Sequence, residues 1–278
     1  MKVIVGKQSG FCFGVKRAVE GVENECKSNS KLYCLGEIVH NETVVNDLKQ
    51  KGVKFIEDIS EIKNGETLAI RAHGVEEKVY EIAREKNVTV KDFTCPKVAQ
   101  IHNKIKEAQE NKKTIILIGK KDHPETIGSK GYAKDIYVID SVEEIEKLPD
   151  LEDVFSIVQT TFSYSKYLEI EKALKEKYKN IECINSICPS TKNRQIECSQ
   201  IAKQADFMII IGGKNSSNTK KLYDVACSEC ENCIIIQDET DKKIEDCKKY
   251  DIIGIMSGAS TPMKTIQKLY WWKTRWIL

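Results

Sequence analysis

The chain reads as an α/β protein of small, mostly parallel sheets covered by helices, organised as three similar units. Two observations predict this. Short β-branched runs alternate with amphipathic stretches of helical length along the 278 residues, which is the pattern of parallel strands joined by helical crossovers. Three cysteines, Cys12, Cys95 and Cys188, also stand at loop-to-helix junctions, at intervals of 83 residues (12 to 95) and 93 residues (95 to 188). One such junction per unit gives divisions at 1–95, carrying Cys12 and Cys95; 96–188, carrying Glu125 and ending at Cys188; and 189–278, carrying a Ser-Ser-Asn loop and a Trp-rich end.

The elements follow in order. Met1–Gly6 is a short strand and lacks the long apolar run of a signal peptide. Further strands are expected at Leu68–Ile70, Thr114–Ile118, Ile136–Ile139, Val154–Val158, Phe207–Ile211, Cys233–Ile236 and Ile252–Ile255. Helices are expected at Val75–Lys86, Pro96–Asn111, Tyr164–Tyr178 and Thr191–Lys203, and Pro96 suits a first helical position. No low-complexity linker separates these parts.

Composition narrows the function. Forty-four basic residues against 42 acidic ones leave a formal charge of +2, which argues against a protein built to coat nucleic acid. No stretch reaches the roughly 18 apolar residues of a membrane span, so a cytoplasmic protein without a membrane partner is expected. In a reducing compartment eleven cysteines are not a disulfide framework; they are packing thiols, metal ligands or catalytic groups.

The chemistry-bearing residues fall into three groups. The first is the dispersed cysteine set, in the contexts Gly-Phe-Cys12-Phe-Gly, Thr-Cys95-Pro and Ile-Cys188-Pro. At a helix N-terminus the macrodipole favours thiolate, and three thiolates would leave one iron of a four-iron cluster open. Buried apolar thiols are the other reading, and spacing leaves both open. Cys227-Ser-Glu-Cys230-Glu-Asn-Cys233 has a more ferredoxin-like spacing, but it lies in a helix-to-strand connection. Cys26, Cys34, Cys183, Cys198 and Cys247 read as packing residues.

The second group is three loop histidines, His40, His73 and His123; His102 falls inside a helix and reads as structural. The third is a pair of strand–turn–helix segments, Gly212–Asn218 and Ser257–Pro262. Their glycines and hydroxyls at a helix start make an anion site or plain helix caps. Together with the histidines they suggest a phosphorylated substrate.

Nine motifs in order from residue 10 to about 262 then resemble one family. They are Gly-Phe-Cys-Phe-Gly-Val (10–15), Gly-Glu-Ile-Val-His-Asn (36–41), Arg-Ala-His-Gly-Val (71–75), Asp-Phe-Thr-Cys-Pro (92–96), Gly-Lys-Lys-Asp-His-Pro-Glu (119–125), Gln-Thr-Thr (159–161), Ile-Cys-Pro-Ser-Thr-Lys-Asn-Arg-Gln (187–195), Gly-Gly-Lys-Asn-Ser-Ser-Asn (212–218) and Gly-Ala-Ser-Thr-Pro (258–262). The chain resembles the 4-hydroxy-3-methylbut-2-enyl diphosphate reductases, iron–sulfur oxidoreductases that end the methylerythritol phosphate route of isoprene biosynthesis.

The resemblance implies three α/β units in a trefoil around one 4Fe–4S cluster per chain, held by Cys12, Cys95 and Cys188, with the fourth iron taking the substrate oxygen. It implies that His40, His73, His123, Ser216, Asn218 and Ser260 hold the diphosphate, with Ser217 nearby. It implies that Glu125, in a network with Thr160, supplies the proton that lets the hydroxyl leave as water. Electrons would come singly from a ferredoxin or flavodoxin, and the products would be isopentenyl and dimethylallyl diphosphate. These roles suit the residues: hydroxyls, imidazoles and helix starts meet a diphosphate, and a poor leaving group needs an acid.

The chain departs from the family after Pro262, where Met263–Leu278 carries all three tryptophans, Trp271, Trp272 and Trp276, in place of the acidic and small residues expected. That puts the closing helix beside Ser260 in doubt and suggests a tail that packs on its own chain or on a neighbour. A non-catalytic iron–sulfur or zinc protein, acting as sensor or RNA-binding adaptor, is the alternative; it would need neither Glu125 nor the diphosphate loops.

Overall fold

The computed structural model describes residues 2–28 and 31–274, the last five of these by backbone only; the side chains of Trp271, Trp272 and Trp276 lie outside the described residues. Three four-stranded parallel sheets are present, each flanked by helices. The strands are β1 (Lys2–Val5), β2 (Leu32–Leu35), β3 (Lys54–Ile56), β4 (Thr67–Ile70), β5 (Thr89–Asp92), β6 (Thr114–Ile118), β7 (Ile136–Ile139), β8 (Val154–Val158), β9 (Ile181–Ile184), β10 (Phe207–Ile211), β11 (Cys233–Ile236) and β12 (Ile252–Ser257). The helices are α1 (Phe13–Ser28), α2 (Glu42–Gln50), α3 (Glu77–Glu85), α4 (Pro96–Glu110), α5 (Pro124–Lys130), α6 (Tyr164–Lys177), α7 (Pro189–Ala202), α8 (Ser217–Cys227) and α9 (Met263–Thr274).

The sheet orders repeat. They run β3-β2-β4-β5, β7-β6-β8-β9 and, written the same way round, β11-β10-β12-β1. The third sheet is closed by the first strand of the chain: β1 lies parallel to β12, with Val3 opposite Ile253 and Val5 opposite Ile255. By contacts the chain forms two compact units, one of Met1–Lys16, His40–Asn46 and Pro189–Leu278 and one of Arg17–Val39 and Asp47–Cys188.

The β-branched runs form strands because both faces of each sheet are covered, so consecutive residues bury on opposite sides. In the sheet of β10 and β12, Phe207, Ile209 and Ile253 face one apolar cluster, while Met208, Ile210 and Met256 face another. In the sheet of β6 and β8, Ile116 and Ile118 face one cluster and Ile115 and Leu117 the other. Burying a side chain of this size stabilises by about 1.5–3 kcal/mol. The expected strands and helices all form, within two residues at each end. A helix, α9, does follow Pro262, because the sequence there lacks glycine and proline and buries Ile266 and Leu269 against the β10–β12 sheet. Among the described residues no helix is long and apolar enough to cross a membrane.

Candidate functional site

Each of the three dispersed cysteines leads into a helix: Cys12 directly precedes α1, Cys95 is the N-cap of α4 with Pro96 at its first position, and Cys188 directly precedes α7. Their backbones are held alike. Each follows the outermost strand on the same side of its sheet (β1, β5 or β9), and its N–H donates to a carbonyl just beyond the adjacent strand. Cys12 donates to Ala259 at 3.1 Å, Cys95 to Ala72 at 3.0 Å and Cys188 to Thr160 at 3.0 Å. All three cysteines are half-buried and none is in a disulfide. Cys34 and Cys198, by contrast, are fully buried, and burial pushes both thiols up to about 12. A thiol so disfavoured as thiolate is a packing residue, whereas a half-buried one at a helix start is a usable ligand.

Local bonds fix these loops. The Arg194 guanidinium on α7, buried to 3% exposure, donates to the carbonyls of Gly10 at 2.8 Å and Ser257 at 3.2 Å. Ser257 Oγ in turn accepts from the Gly10 N–H at 2.8 Å. On the Cys95 side, Asp92 Oδ1 accepts from the Thr94 N–H at 2.8 Å and Arg17 donates to the Thr94 carbonyl at 3.0 Å. Arg194 stands inside a matched motif, but sequence reasoning gave it no role. The signal lay in α7, where Thr191, Arg194, Gln195 and Cys198 recur at helical spacing on the buried face, so a polar stripe points inward.

Glu125 lies in the first turn of α5 and is 2% exposed. Its carboxylate accepts from the Thr160 N–H and from Thr160 Oγ1, both at 2.7 Å. Burial pushes its pKa up to about 7, against the downward pull of those two bonds. Desolvation outweighs the two bonds. His123, N-cap of the same helix, accepts from the Glu125 N–H through Nδ1 at 3.1 Å. The His73 ring meets the His123 ring edge-on with centroids 5.6 Å apart.

Around β10 and β12 the second group assembles. Ser216 caps α8, its hydroxyl accepting from the Thr219 N–H at 3.2 Å. Ser260 Oγ donates to the His40 carbonyl at 3.2 Å. A Cβ on Gly213 would stand 2.2 Å from that same carbonyl, so only glycine lets the two loops approach. Asn218 is 4% exposed, and its amide nitrogen and oxygen both lack a hydrogen-bond partner. A buried amide left so is costly, and both its atoms stay available to a hydrogen-bonding ligand. Ser217 is the first residue of α8. The structure thus joins Glu125 to Thr160 and His123, His73 to His123, and Ser260 to His40, with Ser216 and Asn218 on one helix start. His102 is buried in α4 and stacked on Tyr132, and burial lowers its pKa to about 4, in keeping with a structural role.

The family model for the LytB protein matches residues 3–271. A 4-hydroxy-3-methylbut-2-enyl diphosphate reductase of Thermoanaerobacter sp. (strain X514) is 40% identical over 272 residues, covering 96% of this chain and 94% of that protein. The solved structure of E-1-hydroxy-2-methyl-but-2-enyl-4-diphosphate reductase from Plasmodium falciparum superposes with a TM-score of 0.93 at 33% identity, covering 97% of this chain and 86% of that one. A second solved structure, of (E)-4-hydroxy-3-methyl-but-2-enyl diphosphate reductase, gives a TM-score of 0.72 at 36% identity, with 97% and 98% covered.

Proposed function

This chain belongs to the LytB protein family, and from that premise we infer that it is an oxidoreductase converting 4-hydroxy-3-methylbut-2-enyl diphosphate to isopentenyl and dimethylallyl diphosphate. The observation that carries the reading is Glu125, a buried carboxyl with a pKa raised to about 7 and both oxygens held by Thr160. Such a group keeps its proton near neutral pH and offers it to a departing hydroxyl.

Membership of the family implies an iron–sulfur cofactor, and the donor set fits one: three half-buried cysteines at helix starts, none in a disulfide. We propose a single 4Fe–4S cluster on Cys12, Cys95 and Cys188. When bound, it would supply the electrons and a Lewis-acidic iron, which no side chain can. The chain's own residues do the rest. Glu125 delivers the proton and Thr160 orients its carboxyl. Asn218 turns its unpartnered amide toward the diphosphate, joined by the hydroxyls of Ser216, Ser217 and Ser260 and the imidazoles of His40, His73 and His123. The α8 N-terminus adds its dipole. A ferredoxin or flavodoxin as donor, and a cytoplasmic location, belong to the same reading, as does the division into parts at residues 95 and 188.

The test is anaerobic turnover of the hydroxylated diphosphate with a reduced dye. Formation of both five-carbon diphosphates is the expected result. Protein with full iron content and no turnover would overturn the assignment.

A further inference from the structure

The two large apolar side chains most open to solvent among the described residues are Phe13 and Met263, 75% and 50% exposed. Both flank Cys12. Phe13 follows it as the first residue of α1, and a Cβ added to Gly10, two residues before it, would stand 2.8 Å from Met263 Cε. The two loops are also joined through backbone groups, the Gly10 N–H donating to Ser257 Oγ and the Cys12 N–H to the Ala259 carbonyl. Single exposed apolar residues are ordinary, but two on adjoining loops mark an interaction site. The charge around them has one sign. Residues 1–19 and 252–278 contain no aspartate or glutamate, in a chain that carries 42 acidic residues against 44 basic ones. Lys16 stands one turn along α1 from Phe13, Lys264 next to Met263 and Lys7 in the loop that leads to Cys12, all three exposed. The carboxylate packed on that loop, Glu197 of α7, is taken up by the Lys7 and Gln8 N–H groups, from which its oxygens accept at 2.7 and 2.8 Å.

We propose that Phe13 and Met263, with Lys7, Lys16 and Lys264, are the docking surface for a small acidic one-electron carrier protein, the electron donor of the reductase reading on which this inference rests. Charge is the first reason. A carrier with a negative surface around its cofactor is the complement of a patch built from segments without carboxylates, and such complementarity speeds the encounter. Size is the second. Redox encounters bury less than about 1,200 Å² in total, so two apolar side chains and a few lysines suffice where a lasting complex would need more. Position is the third, since a carrier on this face sits beside Cys12, a ligand of the proposed cluster. Each encounter oxidises one carrier by one electron. Two encounters and two protons break the substrate's C–O bond, form a C–H bond and release water. The carrier must leave between the two, which suits a contact in which charge sets the approach and little apolar area holds it.

The experiment uses the full chain with its cluster assembled anaerobically and a bacterial ferredoxin as probe. Oxidised ferredoxin is titrated into the protein by calorimetry. Turnover is measured with reduced ferredoxin and, separately, with a reduced viologen dye, which needs no docking. Lys7→Glu/Lys264→Glu should lower kcat/KM for ferredoxin at least roughly tenfold at low salt, with the gap closing as salt rises. Phe13→Ala should raise the ferredoxin Kd about tenfold. Iron content and dye turnover should match the parent in both variants. Ferredoxin binding that is absent from the parent, or equal in the parent and both variants, overturns the proposal. So does a dimer of the parent, seen by sedimentation, that Phe13→Ala separates, because a second copy then covers the face. If Phe13→Ala loses iron, the lysine pair decides alone. Absence of dye turnover in the parent counts against the reductase reading instead, and the calorimetric Kd values still decide the docking surface.

Discussion

Glu125 illustrates how surroundings change the acidity of one residue. A loop glutamate is ordinarily ionised at neutral pH. Here burial removes the water that would solvate the charge, and Thr160 fixes the direction of both oxygens. Glu125→Gln keeps the shape without the acid proton, and a positioned general acid contributes about 10²–10⁴ in rate. The variant should hold its iron and bind substrate while losing at least roughly a hundredfold in kcat; turnover within a few-fold of the parent removes Glu125 from the mechanism. The pH dependence has a definite sign. With a folded pKa near 7, the acid form is present below that pH and lost above it, so kcat falls on the alkaline side of about 7 and Glu125→Gln abolishes that limb. Stability moves in the same direction. The folded pKa exceeds the unfolded value, so the native state binds more protons, and this group's contribution declines as pH rises from about 4.5 through 7.

Asn218 makes the complementary case for binding. Hydrogen bonds to charged groups are worth about 1.5–3 kcal/mol, so Asn218→Ala should raise KM roughly tenfold to a hundredfold, with little change in kcat. An unchanged KM in steady-state kinetics would take this amide out of the diphosphate site.

Among the elements, the turn between β4 and α3 shows why a matched glycine is there. Gly74 has φ +72, and a Cβ on it would stand 2.5 Å from His102 Cε1 on α4. Left-handed backbone costs an alanine about 1–2 kcal/mol, and the contact with α4 adds to that. Gly74→Ala should therefore lower Tm by roughly 4 °C or more, and His102→Ala in the same chain should return part of the loss by clearing the space. A melting curve that matches the parent's would show that the turn relaxes freely.

At the scale of the whole molecule, three sheets of one strand order each end in a cysteine whose N–H is tied to the loop after the neighbouring strand. Repetition of a backbone device three times argues that the three thiols serve one purpose. Replacing Cys12, Cys95 or Cys188 singly with serine should abolish turnover and sharply reduce bound iron, whereas replacing Cys227, Cys230 and Cys233 together should leave most activity. Iron retained in the first set and lost in the second would reverse the ligand assignment.

The sequence by itself determined the strands and helices, since runs such as Thr114–Ile118 and Phe207–Ile211 are apolar on both faces and suit only a covered parallel strand. Its ordered motifs also named the candidate site residues. Strands of lower apolar density, such as Thr89–Asp92 and Ile181–Ile184, were silent, because charged residues at sheet edges blur the period. Pairing was silent too: nothing in Lys2–Val5 says that it adds to β12 rather than to β2, as a backbone ladder carries no side-chain address. The pKa of Glu125, the inward guanidinium of Arg194 and the unpartnered amide of Asn218 were decided only by tertiary structure. Burial and the supply of hydrogen-bond partners are set by residues far away in the chain, and these two quantities convert an ordinary side chain into a reactive one.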